Sequence, residues 1–459
     1  MKVRVVMLAF PIVGRSNPMV QLAKRLSCKQ GVVVTLATTS ALASKLSSIT
    51  SSYPNLSIAA LSLGDQADPL DTLSVDEYSE WFEKMAPPSL ANLIKELDHT
   101  PRCLIYDSSQ IWALDLARQL GLLAAPFFPQ SCAVSLIFRH VFEDVLQVHD
   151  QRDRESGLLS APGLPPMALS DLPSFVNNIG TFPLLEKLVL RQFKNFHDAD
   201  FQFFNSFDVL EHHVIDWMKK RWPEVMSIGP TIPSMFLDKE LLEDTEYGLS
   251  VFDTEQVEAC MRWLDSKDDA STLYVSFGSL AALSDAQMQE LALALLHCGT
   301  PFLWVVRPSE KAKLPQDFTQ QLESGTAGGM IVTWCPQLAV LSHRAIACFF
   351  SHCGWNSTLE AVSSGVPIVA MPQWADQPTN AMYVEQVWRI GIRVKPDPTS
   401  GIVSSQGIMA CIGEAMHGER ATEMRSNASN LMTQARAAML PGGSSYVNLD
   451  HFVAKLINA

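Results

Sequence analysis

The stretch at 347–370, ACFFSHCGWNSTLEAVSSGVPIVA, most constrains what this chain can fold into. It opens with the short apolar run Ala347-Cys348-Phe349-Phe350, which has the character of a buried strand. Small and polar residues then lead into a helical pattern over 357–363, with Glu360 expected in the first turn, and a second apolar strand follows at 366–370. Strand, crossover helix and strand imply a parallel sheet. The junction at His352-Cys353-Gly354-Trp355-Asn356-Ser357 can present backbone N–H groups, the positive end of a helix dipole and small polar donors to an anion. A diphosphate fits such a junction.

The same alternation runs along the whole chain. Strands are expected at 3–9, 31–37 and 102–106, the first followed by a helical pattern that Asn17-Pro18 begins, and a helix is expected at 112–120. The second half repeats this with strands at 272–275, 301–306 and 329–333, the first leading into Ser276-Phe277-Gly278-Ser279 and a helix at 285–297. Ligands of such sheets gather at the carboxyl ends of the strands, which points to 11–16, 107–109 and 276–279. A chain of 459 residues is long for one core. Pro/Gly-rich 228–233 and acidic 238–247 read as the connection, giving domains at 1–235 and 253–440, a linker at 236–252, and a C-terminal helix at 441–459 that packs back on the N-terminal domain.

Composition narrows the partners. A hydrophobic share of 47% with 18% charged residues is that of an ordinary globular protein, and a net charge of −14 opposes binding to nucleic acid or an anionic membrane. Nine cysteines without CxxC pairs or Cys/His metal spacing read as reduced thiols, so a cytoplasmic setting is expected. The apolar start is broken by Pro11, Gly14 and Arg15, and the longest apolar region, 122–138, by Pro126, Pro129, Gln130 and Ser131, so neither reads as a membrane span. Oligomeric state leaves no readable mark.

Within 334–377, Trp334 offers a flat face for a base, Gln337 and Glu360 can bond ribose hydroxyls, and Asp376-Gln377 form an acceptor–donor pair for sugar hydroxyls. This 44-residue window, at both ends and at its HCGWNS centre, resembles the signature of plant family-1 UDP-glycosyltransferases. The resemblance extends to GRSNPMVQLAKRL, YDSSQIWALDLARQLG, PFFPQSCAVS, FNSFDVLE, LYVSFGSLA, PFLWVVR and LPGGSSYVNLDHFV, and is greatest for the glucose-ester-forming branch that includes indole-3-acetate and salicylate glucosyltransferases. It implies a GT-B fold, an α/β architecture of two facing Rossmann-like αβα domains with a ligand cleft between them. It also implies roles. Trp334 would stack on uracil, Cys335 would contact the base through its backbone, and Gln337 and Glu360 would hold the ribose. His352, Gly354, Asn356, Ser357 and Ser279 would bind the diphosphate, and Trp355, Asp376 and Gln377 would choose the sugar. Gln377 at the last position goes with UDP-glucose as co-substrate. Neither metal nor further cofactor is implied, and the one DxD-like match, Asp198-Ala199-Asp200, lies far from the window in the chain. The acceptor pocket is expected near Phe10, Arg15, Phe127, Phe128 and Gln130, with Trp374 contributing from the second domain.

One position departs from the family. A histidine usually precedes the Asn-Pro pair and serves as general base, oriented by an aspartate at the position of Asp107; here that place is held by Arg15, and no histidine occurs before His99. A guanidinium stays protonated and cannot accept the proton. Four readings stand open. Arg15 anchors an acceptor carboxylate that needs no base; Asp107 or a distant histidine deprotonates a phenol; the protein binds UDP-sugar or a small molecule without turnover; or Arg15 is an inactivating change. The expected activity is inverting transfer of glucose to a small, aromatic plant metabolite as β-glucose ester or β-O-glucoside, the alternative being a catalytically impaired binding protein.

Overall fold

The computed structural model describes residues 2–64, 69, 72–146, 158–177, 183–248, 254–326 and 328–458. In β1 (Val3–Leu8), Val3, Val5 and Met7 enter one apolar cluster and Val6 and Leu8 another, so the strand is buried on both faces, as a parallel sheet demands. Around it lie β2 (Val32–Thr39), β3 (Leu56–Leu61), β4 (Cys103–Asp107) and β5 (Leu123–Phe128). A small antiparallel hairpin, β6 (Leu158–Leu159) with β7 (Met167–Ala168), precedes β8 (Gln202–Phe204) and β9 (Val225–Ser227). The seven-stranded sheet runs β3-β2-β1-β4-β5-β8-β9 with every pair parallel.

The second sheet is built from β10 (Thr272–Ser276), β11 (Phe302–Val305), β12 (Gly329–Val332), β13 (Ile346–Ser351), β14 (Ile368–Ala370) and β15 (Gly391–Arg393). Its order is β12-β11-β10-β13-β14-β15, again parallel throughout. Contacts divide the chain into two compact units, 1–250 with 437–459, and 251–436. Each sheet reverses its winding once, between β1 and β4 in the first unit and between β10 and β13 in the second. Ligand crevices of doubly wound sheets open outside the strand ends at such switch points.

Several elements differ from the sequence expectation. The first helix starts at Val13, not at Asn17-Pro18, because the N–H groups of Arg15 and Ser16 both reach the Ile12 carbonyl at 2.8 Å. Pro18 is therefore inside the helix Val13–Ser27, and Arg15 sits in its first turn. The helix after β13 spans Trp355–Ser364, so Glu360 falls in the second turn rather than the first. Strands β3, β5, β8, β9 and β15 were not among those expected; β8, β9 and β15 have only three residues each, too few for a period to register.

The acidic stretch expected to be linker is instead docked. Lys24 Nζ donates to Asp244 Oδ1 at 2.7 Å and to the Glu246 carbonyl at 2.6 Å, and Arg25 Nη1 donates to Asp238 Oδ2 at 2.6 Å. Lys24 and Asp244 are both buried, and two cations on the inner face of a helix require such counter-charges. At the other end of the chain, the helix Ser444–Asn458 lies on the first unit. Its Ser445 hydroxyl donates to the Gly229 carbonyl at 2.6 Å, and Phe452 meets Phe201 and Phe203 edge-on, each at 4.9 Å.

Candidate active site

In the second unit, β10 and β13 end side by side, Ser276 paired with Ser351. Beyond β13 the chain turns through His352 and Cys353 into Gly354, which caps the helix Trp355–Ser364 without any side-chain cap bond. Cys353 adopts a left-handed conformation, with φ of 62°. The His352 imidazole lies against two glycines: a Cβ on Gly278 would sit 2.7 Å from its Nε2, and one on Gly354 2.6 Å away. Gly278 also has φ of +72°, so glycine is required there twice over. His352 is buried, and that burial pushes its pKa from 6.5 down to about 4; the Ser276 backbone works against the shift and the Arg307 charge adds to it. The ring is thus neutral at pH 7. Its Nδ1 is buried with no hydrogen-bond partner among the described residues.

Arg307 shapes the neighbouring loop. Its Nη1 donates to the Ser279 carbonyl at 2.6 Å and its Nη2 to the Ala281 carbonyl. Ser279 itself is exposed.

The residues expected at the ribose are brought together. Gln337 Nε2 donates to Glu360 Oε2 at 2.5 Å and to Ser357 Oγ at 2.9 Å, while its Oε1 accepts from the Tyr274 hydroxyl at 2.9 Å. Tyr274 stacks on Phe349, its partner across β10 and β13, with ring centroids 4.9 Å apart, and its hydroxyl is 3.3 Å from Cys335 Sγ. Burial pushes the Cys335 thiol up to about 12. Trp334 is half-buried beside this network.

Gln377 Oε1 accepts from the backbone N–H groups of Gln373 at 2.8 Å and Trp374 at 3.1 Å, which fixes the amide with its NH₂ as the remaining donor. Asp376 Oδ2 accepts from Asn380 Nδ2 at 2.8 Å. Asn380, absent from the sequence expectations, also donates to the Cys353 carbonyl at 3.0 Å. Only its spacing of four residues from Asp376 hinted at a shared helix face. Trp355 is buried, its ring 6.1 Å from that of Trp388. Asn356 stands in the first turn of the same helix, half-buried.

The first unit carries a separate constellation at its own switch point. Arg15 follows β1 and Asp107 ends β4; Arg15 Nη1 donates to Asp107 Oδ1 at 2.6 Å. The same oxygen accepts from the Ser109 N–H at 2.9 Å and hydroxyl at 2.5 Å. Asp107 is fully buried, and among the described residues its Oδ2 has no hydrogen-bond partner.

The aromatic residues expected to line an acceptor pocket are corrected by burial. Phe127 and Phe128 are 0% exposed and Phe10 is 1% exposed. Phe10 packs edge-on to Phe82 at 5.2 Å and Phe128 stacks on Phe204 at 4.6 Å, so these rings belong to the core. Gln130 is half-buried and donates to Ser135 Oγ at 3.1 Å, and Trp374 packs half-buried against the second unit's core. Of the DxD-like pair, Asp200 is held in place: its Oδ2 accepts from Arg118 Nη1 at 2.7 Å and from the Ala124 N–H at 2.8 Å.

Comparison with known proteins places the fold and the family. The fold matches the crystal structure of Os79 from O. sativa in complex with UDP with a TM-score of 0.88, at 37% identity, covering 98% of this chain and 100% of that one. Two Rossmann-like domains of this pattern define a GT-B glycosyltransferase. Residues 27–423 match the family described as UDP-glucoronosyl and UDP-glucosyl transferase. Over 459 residues the chain is 43% identical to UDP-glycosyltransferase 74C1 of Arabidopsis thaliana, covering 99% of each. Over 462 residues it is 40% identical to flavonol 7-O-beta-glucosyltransferase UGT74F1 of the same plant, again covering 99% of each. The chain belongs to the plant family-1 UDP-glycosyltransferases, enzymes that transfer sugar from a UDP donor to small plant metabolites. Among the described residues no helix is long and apolar enough to cross a membrane.

Proposed function

We propose that this enzyme transfers glucose from UDP-glucose to the carboxylate of a small aromatic acid, with inversion, giving a β-glucose ester. The observation that carries the acceptor half is the Arg15–Asp107 pair. A guanidinium at the head of the first helix cannot serve as base, but only its Nη1 is engaged by Asp107, and its fork retains N–H donors for a second anion. A carboxylic acid with a pKa of about 4 to 5 arrives already ionised. Its oxygen attacks C1 of the sugar, the bond from C1 to the phosphate oxygen breaks, and UDP leaves with the electron pair. No proton moves in this step, so no base is missing.

The donor half follows from the second unit. Trp334 is assigned to the uracil face, Cys335 to the base through its backbone, and Gln337 with Glu360 to the ribose. His352, Gly354, Asn356, Ser357 and Ser279 are assigned to the diphosphate, and Asp376 with the oriented amide of Gln377 to glucose. Trp355 is assigned with them to the choice of sugar. Negative charge growing on UDP meets fixed N–H and O–H donors, and the reaction is assigned without metal. Nine free thiols support a cytosolic setting.

The test is UDP release from UDP-glucose with a panel of aromatic acids and phenols, each product then treated with mild alkali. Acid-dependent release of an alkali-labile product is expected, weakened by Arg15→His. Release with phenols alone would overturn the carboxylate assignment, and no release with either class would overturn transfer to aromatic acceptors.

A further inference from the structure

Asn380 is 1% exposed on the short helix Gln377–Met382, and one amide nitrogen serves two acceptors. Its Nδ2 donates to the Cys353 carbonyl at 3.0 Å and to Asp376 Oδ2 at 2.8 Å. The first acceptor belongs to the loop after β13, the second to the carboxylate assigned to glucose. We propose that Asn380 is a positioning residue that sets the diphosphate loop and the sugar-binding carboxylate in register with each other, an inference that rests on the UDP-glucose reading above.

Two geometric features support this role. Cys353 is a non-glycine residue at φ of 62°, in the left-handed region that L-residues rarely adopt. Its buried thiol offers little compensation, lying 3.8 Å from the Ser351 carbonyl. The residue is held instead through its backbone: its N–H donates to Ser351 Oγ at 3.1 Å, and its carbonyl is fixed by Asn380. Across a trans peptide the Cys353 carbonyl and the Gly354 N–H point in opposite directions. Anchoring the carbonyl on Asn380 therefore turns the Gly354 N–H to the other side of the loop and keeps a carbonyl oxygen, which would repel phosphate, from facing that side.

At the sugar end, Asp376 and Asn380 are one helical turn apart, and the Asn380 N–H donates to the Asp376 carbonyl at 3.1 Å. The side-chain bond removes rotational freedom from the carboxylate and leaves its other oxygen defined in direction. Both hydrogens of a single NH₂ group thus hold the two halves of the donor site, the Cys353 carbonyl on one side and the Asp376 carboxylate on the other.

A double-mutant cycle reads this coupling. Dissociation constants for UDP and for UDP-glucose are measured by calorimetry on the full chain, for wild type, Asn380→Ala, Asp376→Ala and the double variant. Asn380→Ala is expected to weaken UDP several-fold through the Cys353 loop, whereas Asp376→Ala leaves UDP nearly unchanged. On UDP-glucose the double variant is expected to bind about tenfold better than the product of the two single effects, a coupling of about 1.4 kcal/mol. Effects that simply multiply on UDP-glucose, or a lowered Tm with UDP and UDP-glucose affinities intact, would overturn the role and leave the donor reading standing. Failure of the wild type to bind UDP-glucose would instead remove the donor reading, and this inference with it. Asn380→Ser, which keeps one O–H donor, replaces the alanine variant in the cycle if that variant does not fold.

Discussion

At the scale of single residues, His352 shows how burial prepares a side chain. Its neighbours Gly278 and Gly354 let the ring sit where a Cβ would collide with it, and the surrounding protein pushes its pKa down to about 4. The sign of the stability effect follows. Below about 6.5 the unfolded chain protonates this ring, whereas the folded chain does so only near 4, so the unfolded state binds more protons in between. Stability from this group is full above 6.5 and is lost as pH falls toward 4. The difference in urea midpoint between pH 7 and pH 4.5 should narrow in His352→Asn; an unchanged difference would contradict the depressed pKa. The histidine itself was legible in the sequence, because it stands in a long ordered motif. Its neutrality was not, because desolvation depends on what packs around the ring.

At the scale of elements, the loop after β10 and the loop after β13 form one unit, and Gly278 is where they touch. Gly278→Ala adds a methyl group at φ of +72° and 2.7 Å from His352 Nε2, so either the backbone or the imidazole has to move. The variant should fold but lose most of its thermal stabilisation by UDP, since linkage makes that shift a direct readout of affinity. A UDP-induced shift equal to that of wild type would show that the ring position does not matter for binding. Periodicity located β10 and β13 well and the helices starting at Trp112 and Asp285, yet it placed the starts of the helices after β1 and β13 late. The first helix extends upstream of Pro18 because the Ile12 carbonyl is available to Arg15 and Ser16, and hydrophobic pattern carries no information on that bond. The acidic stretch read as linker for a related reason: charge looks solvated in a sequence until the buried Lys24 and Arg25 that neutralise it are known.

At the scale of the whole molecule, the last helix belongs to the first unit although 186 residues of the second, 251–436, separate them in the chain. Phe452 is fully buried there between Phe201 and Phe203. Phe452→Ala should cost about 3–5 kcal/mol in urea unfolding, with the loss falling in the transition of the first unit. A loss below about 1 kcal/mol would mean that this face is not sealed by the helix. The docking was expected from Val447, Leu449, Phe452, Val453 and Leu456, which stand in roughly helical register, whereas the partner face was beyond reach, since β8 and β9 are too short to read.

The amino-acid sequence by itself determined the class of fold, the turn after β13 and the set of residues gathered around it. Each is encoded locally, by strand and helix periods and by a contiguous motif whose spacing is fixed by the backbone. Only the tertiary structure decided that Arg15 pairs with Asp107 across β1 and β4, that Phe10, Phe127 and Phe128 are core rings, and that Asn380 ties Asp376 to the Cys353 loop. Those facts depend on the order of strands in a sheet and on which faces are covered. Such contacts join residues distant in the chain, and no local pattern specifies them.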